Sequence, residues 1–409
     1  MKTQLRILTT ITVFSFLFYS CENDTDQLTD LETGIEIETP GNVGADQAVP
    51  GEYIITYKTN NSLIGKSARM QAKSQQTLAK HSIASSNLKE VYDYALQGFA
   101  VKNLTEKHVE LLLQDPEIAF VEPNYIHKLD IVMGEPVSTL PATVNDKSTA
   151  DTKDSQLPNG DFLPWGIERV GRRNGSGRTC WIIDSGIAPH SDLNIDSGRS
   201  RSFVGGSWVD QNGHGTHVAG TVAARNNGSG VVGVAYGATV ISVRVLNAQG
   251  SGPTSGILAG VDYVARNVRN GDTWNYSVGF RNRFTSQAID DAFRNLESRA
   301  IGAMAAGNSN DNTQFYSPQR LRTGNSWCVG NMTRSGAAAG TSNFGRSVDR
   351  WAPGTAVWST WLNGGFNRIS GTSMASPHVA GILLLRGNRT GTNGSVRKGG
   401  FTAPIATVN

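Results

Sequence analysis

Disulfide chemistry has little to draw on in this chain. Its 409 residues include three cysteines, Cys21, Cys180 and Cys328, which excludes a small cysteine-stapled scaffold. Charge is also sparse, at 17% with a net of +3, and no long block of lysine or arginine occurs. The electrostatic footprint of a nucleic-acid binder is therefore missing. The apolar run at residues 7–19 falls short of the roughly 20 residues a membrane-spanning helix needs. Glycine is plentiful, with 46 residues. Modest charge and abundant glycine suit an α/β enzyme with many tight loops.

Lys2 and Arg6 precede that apolar run, which reads as the core of a signal peptide over residues 1–21. It ends in Leu17-Phe18-Tyr19-Ser20-Cys21, which resembles a bacterial lipobox with Phe18 in place of the usual aliphatic residue. Two readings stand: Cys21 carries a lipid anchor to a membrane surface, or the signal is an ordinary cleaved one. Residues 22–50 begin with an acidic stretch and read as a solvated tether. Both readings imply export, as a cell-surface or outer-membrane lipoprotein or as a secreted protein. In such a compartment Cys180 and Cys328 either pair or remain two buried thiols acting as small hydrophobes. The unpaired reading is preferred.

Residues 51–130 read as a first domain. Tyr53-Ile54-Ile55-Thr56-Tyr57-Lys58, Leu88-Lys89-Glu90-Val91-Tyr92-Asp93-Tyr94, Gly98-Phe99-Ala100-Val101-Lys102 and Ile118-Ala119-Phe120-Val121-Glu122-Pro123 have strand character. Helical stretches lie at 67–81 and 107–114, the second with Thr105 as N-cap. The order β-α-β-β-α-β predicts a small two-layer α+β, ferredoxin-like domain. Residues 131–161 are rich in Thr, Ser, Asp, Pro and Asn without apolar periodicity, and read as an exposed linker open to proteolysis. From 162 to 409 short apolar runs alternate with helix-like stretches. That pattern predicts a doubly wound, mostly parallel sheet with helices on both faces.

Three segments of this second domain carry chemistry. Asp184 follows the apolar run Cys180-Trp181-Ile182-Ile183, at the strand end where parallel sheets place their sites. His214 and His217 lie in Gly213-His214-Gly215-Thr216-His217 at the start of a helix of small residues. Ser373 stands in Gly371-Thr372-Ser373-Met374-Ala375-Ser376-Pro377-His378, also at a helix start, where backbone N–H groups face a developing oxyanion. The bland alternatives are a turn-capping aspartate, a structural histidine and an N-capping serine. Zinc is disfavoured because no further ligand completes the His-x-x-His pair. Together the residues read as a serine activated by an imidazole that a carboxylate holds in place.

These segments resemble the signatures of the subtilisin-like serine proteases. Val243-Arg244-Val245-Leu246, Ala259-Gly260-Val261-Asp262-Tyr263-Val264-Ala265 and Ser359-Thr360-Trp361 resemble the proteinase K branch. The resemblance implies Asp184 as orienting carboxylate, His214 as general base and Ser373 as nucleophile of an endopeptidase acting on protein and peptide substrates. Asn308, in Ala305-Ala306-Gly307-Asn308, would be the oxyanion-hole amide, with Ala305, Ala306 and Gly307 along one side of the primary specificity pocket. Ser277, Val278 and Gly279 would line the other side. Gly250, Ser251 and Gly252 would form the strand that pairs with the substrate backbone. Phe280 replaces a usual glycine and is expected to narrow or reshape the primary pocket. The small lining residues point to an apolar side chain just before the scissile bond.

Gly98-Phe99-Ala100-Val101 and Asp115-Pro116-Glu117-Ile118 resemble the inhibitor I9-type propeptide of these enzymes. The first domain would then be an intramolecular inhibitor, cut away between Leu129 and Phe162. No cofactor is needed for the chemistry. Asp349, ahead of Arg350-Trp351-Ala352-Pro353-Gly354, aligns with a calcium-ligating aspartate of proteinase K. Carbonyl oxygens near Ser326 would complete a structural calcium site; a solvated loop aspartate is the other reading.

Overall fold

The computed structural model describes residues 48–129, 134–141 and 154–409, all within one compact unit, Gly41–Asn409. The signal segment, Cys21, residues 22–47 of the tether and parts of the linker lie outside the described residues.

The first domain has the expected order: β1 (Ala48–Tyr57), α1 (Ser67–Lys80), β2 (Leu88–Tyr92), β3 (Gly98–Val101), α2 (Glu106–Leu113) and β4 (Ile118–Lys128). β1 begins inside the segment read as tether. Thr105 caps α2, its side chain accepting the His108 N–H at 3.3 Å. The sheet is antiparallel with β1 between β3 and β4. One face packs on its own two helices through Ile55, Phe99, Met70, Leu78 and Leu112. The other face contributes Ile54, Tyr92 and Ala100 to the core of the second domain, because successive strand side chains point to opposite faces.

The second domain is built on β5 (Thr179–Asp184), α3 (His214–Ala223), β6 (Thr239–Arg244), β7 (Ser251–Pro253), α4 (Thr254–Asn267), β8 (Thr273–Tyr276), α5 (Gln287–Glu297), β9 (Ile301–Ala305), β10 (Ser326–Met332), β11 (Val348–Pro353), β12 (Phe366–Ile369), α6 (Thr372–Arg386), β13 (Gly391–Lys398) and β14 (Phe401–Thr407). The main sheet runs β6-β5-β8-β9-β10-β11-β14-β13 and is parallel except for the final hairpin. Alternation along β5 sends Trp181 and Ile183 to the face covered by α4 and α5, and Cys180 and Ile182 to the face covered by α3 and α6. The chain leaves β5 for β6 on one side and returns as β8 on the other. That reversal is the switch point at which such sheets place ligands, beyond the carboxyl ends of the strands. Asp184 ends β5 there.

Cys180 and Cys328 are both buried free thiols. They lie on β5 and β10, separated in the sheet by β8 and β9. Burial pushes the Cys180 thiol up to about 12, which keeps it an inert hydrophobe.

Candidate active site

Glycine at two positions lets the first pair of groups meet. A methyl on Gly213, whose φ is +103°, would lie 2.3 Å from the Trp361 ring. One on Gly215 would lie 2.2 Å from the Gly186 carbonyl. Only glycine admits the close passage of the α3 start over the β5 end. His214 is the first residue of α3, and its Nδ1 lies 2.7 Å from Asp184 Oδ1. Asp184 Oδ1 also accepts the Ser185 N–H at 2.7 Å. Both side chains are fully buried. His214 Nε2 has no hydrogen-bond partner among the described residues.

Ser373 is the second residue of α6. Its Oγ donates to the Ser277 carbonyl at 3.0 Å, and Ser277 Oγ donates back to the Ser373 carbonyl at 3.0 Å. Pro377 explains the second bond. It has no N–H, so the Ser373 carbonyl loses its helical partner four residues on and is open to the Ser277 hydroxyl. Ser277 directly follows β8, whose last residue, Tyr276, pairs with Ile183, the residue before Asp184. The serine and the Asp184–His214 pair therefore flank the ends of two adjacent strands. The hydroxyl points at Ser277 rather than at the imidazole. The sequence brings these groups to one site, and the Ser373–His214 hydrogen bond is not formed in this structure.

Asn308 joins them. Its Oδ1 accepts the Thr372 N–H at 2.9 Å and the Thr372 hydroxyl at 3.0 Å. Those bonds hold the amide oxygen, and the NH2 is the end of the side chain that carries the donors an oxyanion needs. The two walls assigned to the primary pocket face each other: a methyl on Gly279 would lie 3.6 Å from Gly307 Cα. Gln319, which carries no sequence signal, ties the walls together. Its Nε2 donates to Val278 O at 3.3 Å and Ala305 O at 3.1 Å.

Gly250, Ser251 and Gly252, assigned to pair with substrate, here meet an extended chain that is the tail of the first domain. β4 pairs antiparallel with β7, placing His127 opposite Gly252, and the Leu129 N–H donates to Gly250 O at 2.9 Å. This pairing carries β4 five residues past the predicted strand end at Pro123. Phe280, assigned to the primary pocket, turns toward the tail of the first domain. Its ring packs at 4.2 Å from the His127 ring and 4.8 Å from Phe284. His127 Nε2 lies 2.6 Å from Thr254 Oγ1. Burial lowers the His127 pKa to about 3, so the ring is neutral.

The first domain also grips two helix starts. Glu122 accepts from Ser286 Oγ at 2.6 Å and from the Gln287 N–H at 2.7 Å, at the N-terminus of α5. Asn124 Oδ1 accepts the Ser255 N–H at 3.0 Å at the start of α4. On α4, Asp262 Oδ1 accepts the backbone N–H groups of Asp93, Tyr94 and Ala95. Burial raises the Asp262 pKa to about 6.

His217 is structural. It is buried, with Nε2 2.9 Å from Val357 O, and burial lowers its pKa to about 3. Asp349 is half-buried, and burial raises its pKa to about 6. Its Oδ2 accepts the Cys328 N–H at 2.9 Å, and its charged neighbours include the cations Arg322 and Arg350. Asp192 is a second candidate calcium ligand, with Asp161 and the cation Arg225 among its charged neighbours. It is 2% exposed and its Oδ1 has no hydrogen-bond partner. Burial, with the nearby Asp161 charge, raises its pKa to about 7.

Residues 175–396 match the Subtilase family, and residues 52–130 match Peptidase inhibitor I9. The chain belongs to the subtilase family of serine proteases and carries an inhibitor-type propeptide. It is similar to Alkaline serine exoprotease A of Vibrio alginolyticus, with 34% identity across 83% of this chain, and spans 61% of that protein's length. It is also similar to Proteinase R of Parengyodontium album, with 32% identity across 87% of this chain and 84% of the relative. A solved cold-adapted subtilisin-like serine proteinase shares 38% identity and aligns with a TM-score of 0.48, over 54% of this chain and 83% of that one.

Proposed function

We propose that the chain is an exported serine endopeptidase, made as a zymogen that cuts itself. The observation that carries this reading is the buried Asp184–His214 contact at 2.7 Å beside the Ser373 helix start. Asp184 fixes the imidazole with Nε2 outward. Rotation about the Ser373 Cα–Cβ bond turns its hydroxyl from Ser277 O to Nε2. The imidazole then takes the proton as Oγ attacks the peptide carbonyl. The Asn308 amide and the Ser373 N–H receive the oxyanion. The imidazolium returns the proton to the leaving amine, and water, deprotonated in turn by His214, releases the acyl group.

The prosegment tail supports self-cutting. Leu129 is held at Gly250. Further along, Gly134 O accepts the Asn367 side-chain amide at 3.1 Å, and Val137 pairs with Phe366 just ahead of the Ser373 helix. The bond cut in maturation is expected between Leu129 and Gly134. Export rests on Lys2, Arg6 and the apolar run before Cys21, with lipid anchoring at Cys21 as the surface-retained form.

The same tail reports on substrates. The ring of His127 fills a pocket made by Phe280, Phe284 and Thr254. Substrates are expected to carry a planar ring at the position that pairs with Gly252. A peptide-library digest by the matured protein tests both claims. Enrichment of His, Phe or Tyr at one fixed position before the cut is expected. Phe280→Gly should lower it about threefold to tenfold, the range an aromatic contact supplies. A matured protein that cuts no peptide overturns the protease reading; a flat profile at that position removes the pocket's role alone.

A structural calcium at Asp192 completes the proposal. Asp161, which neighbours Asp192, would add carboxylate oxygens. Calcium at 100 times its dissociation constant is expected to raise the melting temperature by about 5–10 °C, and Asp192→Asn to abolish the rise. A parent protein that melts identically in calcium and in chelator removes this site.

A further inference from the structure

Lys398 ends β13, just before the Gly399-Gly400 turn of the C-terminal hairpin. Its Nζ donates to three backbone carbonyls of one loop: Ala339 at 2.8 Å, Gly340 at 2.7 Å and Ser342 at 2.7 Å. The ammonium thereby spends all three of its donors on one cluster. It also lies 5.9 Å from the centre of the Phe344 ring, and a methyl on Gly399 would lie 2.1 Å from that ring. Both sides of the hairpin turn thus press on the segment around Asn343. Converging carbonyl oxygens are how proteins hold metal cations. Here a side chain supplies the charge.

The loop so held supports the oxyanion hole. Asn343 is fully buried. Its Oδ1 accepts the N–H groups of Ser309 at 2.9 Å and Asp311 at 3.0 Å. Its Nδ2 donates to Ala306 O at 3.0 Å, and its backbone N–H to Gly307 O at 2.8 Å. These four bonds bracket Asn308 on both sides. Ser342, the residue Lys398 grips, also accepts the Asn331 N–H on its hydroxyl. A continuous set of contacts therefore runs from the hairpin to the oxyanion amide.

We propose that Lys398 is a tethered cation that positions the oxyanion-hole loop through Asn343, so that the C-terminal hairpin contributes to turnover without touching substrate. The inference rests on Asn308 acting as the oxyanion donor. Without the ammonium, three carbonyl dipoles of like sign face one another and the loop relaxes. Small misplacements of preorganised donors lower turnover more than binding. A free alkali cation can replace the charge.

The test uses the full chain, expressed and allowed to mature, with a peptide substrate and a peptide boronate that forms a tetrahedral serine adduct. Lys398→Met is expected to lower kcat about tenfold with KM within about twofold, and to weaken the boronate by the same factor as kcat/KM. Sodium or potassium chloride, against choline chloride at equal ionic strength, should restore kcat several-fold in the variant and leave the parent unchanged. Lys398→Arg, which still donates to carbonyls, should keep most of the activity. If Lys398→Met does not accumulate, Lys398→Gln is read in its place, with an expected kcat loss of about threefold at unchanged KM. Parental kcat in Lys398→Met, or in Lys398→Gln where it replaces it, overturns the proposal. So does a joint loss of kcat, KM and melting temperature that neither alkali cations nor arginine relieves. An active parent with a normal variant defeats this inference alone; an inactive, fully matured parent defeats the reading beneath it.

Discussion

Replacing Ser373 by alanine should leave the precursor uncut and peptide hydrolysis lowered on the order of a million-fold, the loss that follows removal of such a nucleophile. The substitution removes one hydroxyl that donates to Ser277 O at 3.0 Å. The expected stability change is only about 1 kcal/mol, the net worth of a single buried hydrogen bond. The variant should therefore fold, with β4 still paired to β7 and the prosegment in place. That separation of folding from chemistry makes the result decisive. The measurement is the mass of the protein from a host lacking related proteases, together with hydrolysis of a chromogenic peptide. An alanine variant that still sheds residues before Gly134 would show that another enzyme performs maturation. One that still hydrolyses the peptide would remove Ser373 as nucleophile.

Asp184 and His214, which the structure joins, and Ser373, whose bond to His214 it does not form, were singled out because each sits among small residues that only a crowded junction requires. Gly213 and Gly215 are examples: any side chain there meets Trp361 or the Gly186 carbonyl. The strands and helices of the first domain were legible because their apolar spacing matches the period of each element. What sequence could not supply was contact between distant segments. β4 runs on to Lys128 because its partner, β7, lies far along the chain. Phe280 was assigned to the primary pocket by its neighbours in sequence, yet its ring turns toward His127. Alternation explains this, since the side chain after Gly279 leaves the face that Gly279 presents to Gly307.

Polar residues that work through backbone atoms were the least visible. Gln319, Asn343 and Lys398 each bind main-chain groups, and no spacing or neighbouring residue marks that use. Asp192 likewise stands out only through its buried Oδ1, which has no hydrogen-bond partner among the described residues. Asp349 shows the converse. Its likeness to a metal ligand rests on alignment, while in the fold its Oδ2 accepts the Cys328 N–H, with Arg322 and Arg350 nearby.

His127 should make the prosegment's hold on the cleft sensitive to acid. Its pKa is lowered to about 3 by burial, against roughly 6.5 in an unfolded chain. The native state therefore requires the neutral ring. The stability this contributes is fully present above pH 6.5 and is lost as pH falls toward 3, by about 1.4 kcal/mol per pH unit. Asp262, raised to about 6, and Glu122, also raised, act in the opposite sense: the folded state binds their protons more tightly, so their contribution improves as pH falls. A comparison with His127→Phe cancels those terms. Phenylalanine keeps the ring packing against Phe280 and Phe284 and gives up the contact with Thr254, worth about 1 kcal/mol. In a precursor also carrying Ser373→Ala, urea unfolding at pH 7.5 should show the two within about 1 kcal/mol. At pH 4.5 the histidine form should have lost about 2.7 kcal/mol relative to the phenylalanine form, near a hundredfold in the unfolding equilibrium. A gap that stays constant from pH 7.5 to 4.5 would mean that the imidazole is not buried against the enzyme, and the pocket around Phe280 would then lose its occupant.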